Sequence, residues 1–140
     1  MRKILTVLAA GLLAMVLAGC GAAPGASGRP ATPDQDYAAK YKAAVEPLAH
    51  VASVEARYKT SPGMGSSGNI FMHADTSDQD TMLGVLREAF PAIVDAAAGD
   101  PEVNLAIQVI SADGASAVSP ADLGYSGTGN LSSYREFLGK

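Results

Sequence analysis

The order of apolar and polar positions divides the 140 residues into an unbroken apolar run, a stretch without period, and a series of periodic segments. Ile4 to Ala18 is almost wholly apolar. Gly21 to Asp34 has no apolar rhythm and is rich in Gly, Ala and Pro. Tyr37, Tyr41, Val45 (or Ala44) and Leu48 then recur at helical spacing. Val51 to Lys59 alternates, with Val54, Ala56 and Tyr58 on one face and Ser53, Glu55, Arg57 and Lys59 on the other. Asn69 to Asp75 alternates again, with Ile70, Met72 and Ala74 turned inward. The longest stripe is Met82, Leu86, Ala89, Phe90, Ile93, Val94 and Ala97, which predicts a helix from about Asp78 to Ala98. Val103, Leu105, Ile107 and Val109 mark the most apolar strand, expected in the middle of a sheet, and Leu131 to Leu138 reads as a short amphipathic helix.

Punctuation residues sharpen these elements. Thr32-Pro33-Asp34-Gln35 opens the first helix, with a capping threonine, proline at the first helical position and glutamine three residues after the cap; Pro47 ends or bends it. Thr60 to Gly68 is expected as the long loop of a β-hairpin. Thr76 or Ser77 is the expected cap of the long helix, with acids in its first turn. Pro91 predicts a kink rather than a break, because the stripe keeps phase across it, and Gly99-Asp100-Pro101 stops the helix. Asp113-Gly114 signals a turn into a short returning strand, Ala115 to Val118. The order β-β-α-β implies an α+β fold: a two-layer sandwich, helices on one face of a three- to four-stranded antiparallel or mixed sheet. Were the third strand to lie beside the first, the crossover would be a split βαβ, a ferredoxin-like half.

The N-terminal run carries the clearest motif. A basic start, Met1-Arg2-Lys3, precedes an apolar segment too short and too rich in Gly and Ala for a comfortable membrane span, the pattern of a signal peptide. It ends in Leu17-Ala18-Gly19-Cys20, which contains the chain's single cysteine and resembles, at all four positions, the lipobox of bacterial lipoproteins. The resemblance covers the first 20 residues and implies cleavage by signal peptidase II between Gly19 and Cys20. It also implies a diacylglycerol on the Cys20 sulfur and a lipid-anchored position on the outer face of the cell membrane. The chemistry suits the residues: small side chains enter a protease site, and a thiolate is nucleophilic enough for alkyl transfer. Two acyl chains anchor stably where one does not. The organisation expected is a signal peptide over 1–19, lipidated Cys20 with a flexible tether over 20–34, and one domain over 35–140. The tether's typical reach is about 20 Å. The Gly, Ala and Pro bias resembles that of high-GC actinobacterial proteins.

Charge changes the picture of partners. Setting aside Arg2 and Lys3 leaves 8 basic against 14 acidic side chains, a balance of −6. Such a domain is not steered to nucleic acid or anionic head groups, so the membrane is reached through Cys20 and any other contact is with an envelope protein or a small molecule of unidentified kind. Tryptophan is absent and aromatics make up 6%, so the core leans on aliphatic residues and methionine.

Candidate chemistry is weak throughout. Gly63-Met64-Gly65-Ser66-Ser67-Gly68 spells the dinucleotide fingerprint, but an alternating strand follows it where a helix is needed. Asp75, Asp78 and Asp80 suggest calcium, yet the sixth and twelfth positions counted from Asp75 are Asp80 and Leu86 rather than Gly and Glu. His50 and His73 are the two histidines, neither at metal-binding spacing, so no metal and no cofactor is expected. Gly-x-Ser-x-Gly and Ser-x-x-Lys are missing from the mature chain, and no catalytic residue is assigned. The leading function is a non-enzymatic binding or interaction domain on an envelope lipoprotein. The alternatives are an envelope hydrolase with a dispersed site at Glu55, Arg57, His73 and Asp75, and an accessory subunit of a larger envelope complex.

Overall fold

The computed structural model describes residues 32–140; the expected signal segment, Leu17-Ala18-Gly19-Cys20 and the expected tether as far as residue 31 lie outside the described residues. Helix α1 (Pro33–Val45) starts where the proline and the cap direct it: the Gln35 side-chain oxygen accepts from the Thr32 N–H at 3.1 Å. The domain therefore includes Pro33 and Asp34, two residues that composition assigned to the tether. The helix stops two residues before Pro47.

Strands β1 (Val51–Ser61) and β2 (Gly65–Ala74) form an antiparallel hairpin. The expected long loop is much shorter. Pro62 and Gly63 make a tight turn closed by the Met64 N–H on the Ser61 carbonyl at 3.0 Å, with Gly63 at φ 77°. Gly65 to Gly68 consequently belongs to β2. Gly68 faces the core between Tyr58 and Leu105, its partners on the neighbouring strands. A Cβ at that position would lie 2.8 Å from Leu105 Cδ2 and 3.1 Å from the Arg57 carbonyl oxygen. The last glycine of the apparent fingerprint is there for packing.

Helix α2 (Gln79–Ala96) runs through Pro91 unbroken, and every residue of its predicted stripe is buried. Its cap is Asp78, a correction to the Thr76 or Ser77 expected: the Asp78 carboxylate accepts from the Thr81 N–H at 2.8 Å and the Thr81 hydroxyl at 2.6 Å. Thr76 instead accepts from the Asp78 N–H at 3.1 Å. An ionised acceptor at the positive end of the helix dipole outcompetes a hydroxyl.

Strand β3 (Val103–Ile110) lies parallel to β2, and the two-residue β4 (Ala117–Val118) returns antiparallel to β3. The sheet order is β1-β2-β3-β4. The fold is α+β, as the pattern predicts, with a mixed four-stranded sheet. The crossover joins neighbouring strands, so the split arrangement does not form; Gly68 gives Leu105 the room that the β2–β3 pairing needs. One face of the sheet supplies Val54, Tyr58, Ile70, Met72, Val103, Leu105, Ile107 and Val109 to the core, against Tyr41 and Val45 of α1 and the stripe of α2.

The chain after β4 is more ordered than its Gly and Ser content suggests. A 3-10 turn (Pro120–Leu123) leads to helix α3 (Leu131–Phe137), which docks. Leu131 and Tyr134 are buried, and the rings of Tyr125, Tyr134 and Phe137 surround Phe90. The Tyr134 hydroxyl donates to the Leu105 carbonyl at 2.7 Å. Desolvation raises the Tyr134 phenol to about 12, with the neighbouring Tyr125 adding to the shift.

Candidate functional site

Because α1 and α2 pack on one face, the other face of the sheet is left open. Alternation places Glu55, Arg57 and Lys59 of β1, Ser67, Asn69, Phe71 and His73 of β2, and Asn104, Ala106 and Gln108 of β3 on it. Two rows cross the strands in register: Arg57, Asn69 and Ala106; and Lys59, Ser67 and Asn104. Shallow cavities of about 370 Å³ lie along these rows, one between Arg57, Lys59, Ser67 and Asn69, the other between Ser67, Asn69, Asn104 and Thr128.

The cations here differ from most of the others. Lys40 is paired with Asp100, Lys42 with Glu46 at 3.7 Å and Lys140 with Asp95, while Arg135 donates to the Ala97 carbonyl at 2.9 Å. Arg57 and Lys59 make no ion pair among the described residues. They form a basic pair on an otherwise acidic domain. A polar or anionic group laid across the sheet would meet both, with amides and hydroxyls beside them.

The four residues considered for a hydrolase are not drawn together. His73 Nε2 approaches Glu55 Oε1 to 3.8 Å, with both side chains solvated. Asp75 pairs with a different histidine, His50, whose Nδ1 lies 3.0 Å from Asp75 Oδ1. The same two residues are tied through the backbone, the Asp75 N–H donating to the His50 carbonyl at 3.0 Å, and His50 adopts φ 65° to make the turn into β1. This is a fastening between the start of β1 and the end of β2. Asp78 caps α2, and among the described residues no three His, Cys, Asp or Glu side chains are grouped to hold a metal. Cys20 and Gly19, the predicted lipidation and cleavage residues, lie outside the described residues. No helix among the described residues is long and apolar enough to cross a membrane.

Sequence reasoning missed Asp34 and Asp100. Asp34 accepts from the Thr60 N–H at 3.2 Å and from its hydroxyl at 2.7 Å, fixing α1 to the hairpin end of β1. Asp100 receives the Tyr41 hydroxyl at 2.8 Å as well as Lys40, and burial with this bond pushes the Tyr41 phenol strongly upward. Their partners are 26 and 59 residues away, beyond any local pattern. Compared with protein-family models, curated proteins and solved structures, the chain finds a match in none of the three.

Proposed function

We propose that the protein is a lipid-anchored lipoprotein of the cell envelope whose domain is a non-enzymatic binding module, with the uncovered sheet face as its binding surface. The lipobox-like Leu17-Ala18-Gly19-Cys20 supports the anchor, and the open face over a parallel strand pair carries the binding reading. Parallel pairs are ordinarily covered on both faces. Here β2 and β3 are covered on one, and the other presents Arg57 and Lys59 beside a row of amides and hydroxyls. A second reading, an accessory subunit docking a larger envelope protein, is favoured by β1, an eleven-residue strand at the edge of the sheet.

Mass spectrometry of protein taken from membranes tests the anchor: a diacylated Cys20 N-terminus is expected, and Cys20→Ala should leave uncleaved precursor. Unmodified protein in the medium would refute it. For the binding surface, cross-linking in the native membrane should yield a partner that is lost when Arg57 and Lys59 are both changed to Glu. Unchanged cross-links would move the interface to the β1 edge or elsewhere.

A further inference from the structure

Strand β1 lies at an edge of the sheet, with β2 on one side and no strand on the other among the described residues. Thr60 fixes the direction of its outward amides, because the Thr60 N–H leaves the sheet for the Asp34 carboxylate at 3.2 Å. Residues two apart on a strand aim their amides the same way, so Val54, Ala56 and Tyr58 present theirs at the free edge as well. Both ends of this stretch are closed. Asp34 occupies the edge at Thr60, and at the other end the pairing with β2 slips between Val51 and Ser53, where a bulge bends the strand. Ala56 is the midpoint of what remains. Cover from the helices is incomplete there: Val54 and Tyr58 are buried, whereas Ala56, between them on the same face, stays partly exposed.

The charges along the strand pick out the same midpoint. Glu55 is 59% exposed on the open face with His73 at 3.8 Å, and Arg57 makes no ion pair among the described residues. A two-fold axis through Ala56 would set Glu55 of each copy opposite Arg57 of the other, with Val54 opposite Tyr58 and Ala56 opposite itself. The outward amides then make the hydrogen-bonded pairs, so Glu55 and Arg57 fall at the positions where opposed side chains come closest. No neighbouring register does as well. An axis through Glu55 sets acid against acid, one through Arg57 sets arginine against arginine, and one through Tyr58 sets Arg57 against Lys59.

We propose that the protein associates with a second copy of itself through β1, the two strands antiparallel about Ala56. The edge is thereby paired, and its charges exclude the neighbouring registers. Opposed residues of paired strands share a face, so the two open faces run on into each other. Arg57 is answered by Glu55 of the second copy, and Lys59 remains the cation offered to a ligand. The self-complementary order Glu55-Ala56-Arg57 favours a second copy over an unrelated protein at this edge.

The test is oxidation of the purified full chain, with Cys20→Ala so that each variant carries a single thiol. Ala56→Cys places two thiols at the axis, at a Cα separation of about 5.5 Å that a disulfide spans. Ser53→Cys, whose copies this register keeps far apart, is the control for contact through the N-terminal segment. Covalent dimer should form roughly tenfold faster with Ala56→Cys than with Ser53→Cys. Equal rates would overturn the pairing, as would a chain that stays monomeric, which would return the edge to a larger partner. Glu55→Arg or Arg57→Glu, added singly to Ala56→Cys, should slow cross-linking roughly tenfold, and the double exchange should restore it. Single changes without effect, or a double exchange that restores nothing, would overturn the register. The double exchange also separates this pairing from the binding surface, since it keeps the dimer while removing the Arg57 cation from its row with Asn69. The unsubstituted chain gives a further reading: hydrogen exchange of the Val54, Ala56 and Tyr58 amides should slow as protein concentration rises, and exchange independent of concentration would count against the pairing.

Discussion

Tyr134→Phe separates a hydrogen bond from the packing around it. The ring meets Phe90 edge-on at 4.8 Å between centroids and Tyr125 at 4.7 Å, contacts that phenylalanine keeps. What is lost is the hydroxyl, 2.7 Å from the Leu105 carbonyl in a residue 3% exposed. Leaving a buried carbonyl without that donor costs about 1–3 kcal/mol. For a domain of roughly 100 residues, a 2 kcal/mol loss lowers Tm by roughly 8–16 °C. The effect also has a pH signature. The folded-state pKa of Tyr134 is raised from the usual phenol value of 10.0 to about 12, so the unfolded chain ionises first. The stabilisation is complete below pH 10 and is lost as pH rises from 10 towards 12. The variant has no phenol at this site, so the gap between wild type and Tyr134→Phe should narrow across that window. Urea unfolding of both proteins at pH 8 and pH 11.5 measures it. A loss below about 0.5 kcal/mol at pH 8, or a gap that does not change with pH, would refute the reasoning.

Asp78→Ala should lower the urea midpoint at pH 7 by removing the cap of α2. The Thr81 side-chain and backbone bonds hold the Asp78 carboxyl below its ordinary value, so its contribution is present above about pH 4 and lost as pH falls through the depressed folded value. Wild type and variant should therefore converge in acid, which circular dichroism between pH 7 and pH 2 would follow. Gly68→Val should cost about 1–3 kcal/mol by forcing Leu105 away from β2, seen as a lower midpoint with an unchanged m-value. Phe90→Ala removes the ring about which Tyr125, Tyr134 and Phe137 gather and should cost about 3–5 kcal/mol; thermal unfolding reads it directly.

Periodic burial was legible and long-range polar chemistry was not. Val54, Tyr58, Ile70, Met72, the α2 stripe and the four inward residues of β3 could be read because one buried face imposes a period of 2 or 3.6 on the sequence. The Thr60 to Gly68 stretch misled because glycine is common both in loops and where strands press together, and Gly68 is the second kind. Thr76, Ser77 and Asp78 are all able caps, and the choice among them depends on which carboxylate or hydroxyl reaches Thr81. The strand order needed contacts that no local pattern holds. On the candidate site, alternation correctly placed Glu55, Arg57 and His73 on the exposed face. It did not foresee that Asp75 would pair with His50, because the partners sit at opposite ends of the hairpin's sequence and meet only once it closes.

Under the anchored proposal, the position of α1 decides at which end of the sheet the attachment enters the domain. Asp34 fixes the start of the helix to Thr60, so the described chain enters the domain at the hairpin end of the sheet, beside Lys59 and the turn that carries Met64, 89% exposed. If the chain is anchored at Cys20 as proposed, that end is the one nearest the point of attachment. The acidic balance gives the domain no net attraction to anionic head groups, although Arg57 and Lys59 leave the open face itself locally basic. Under the anchored proposal, the Asp34–Thr60 fastening of α1 sets which end of the open face lies nearest the attachment.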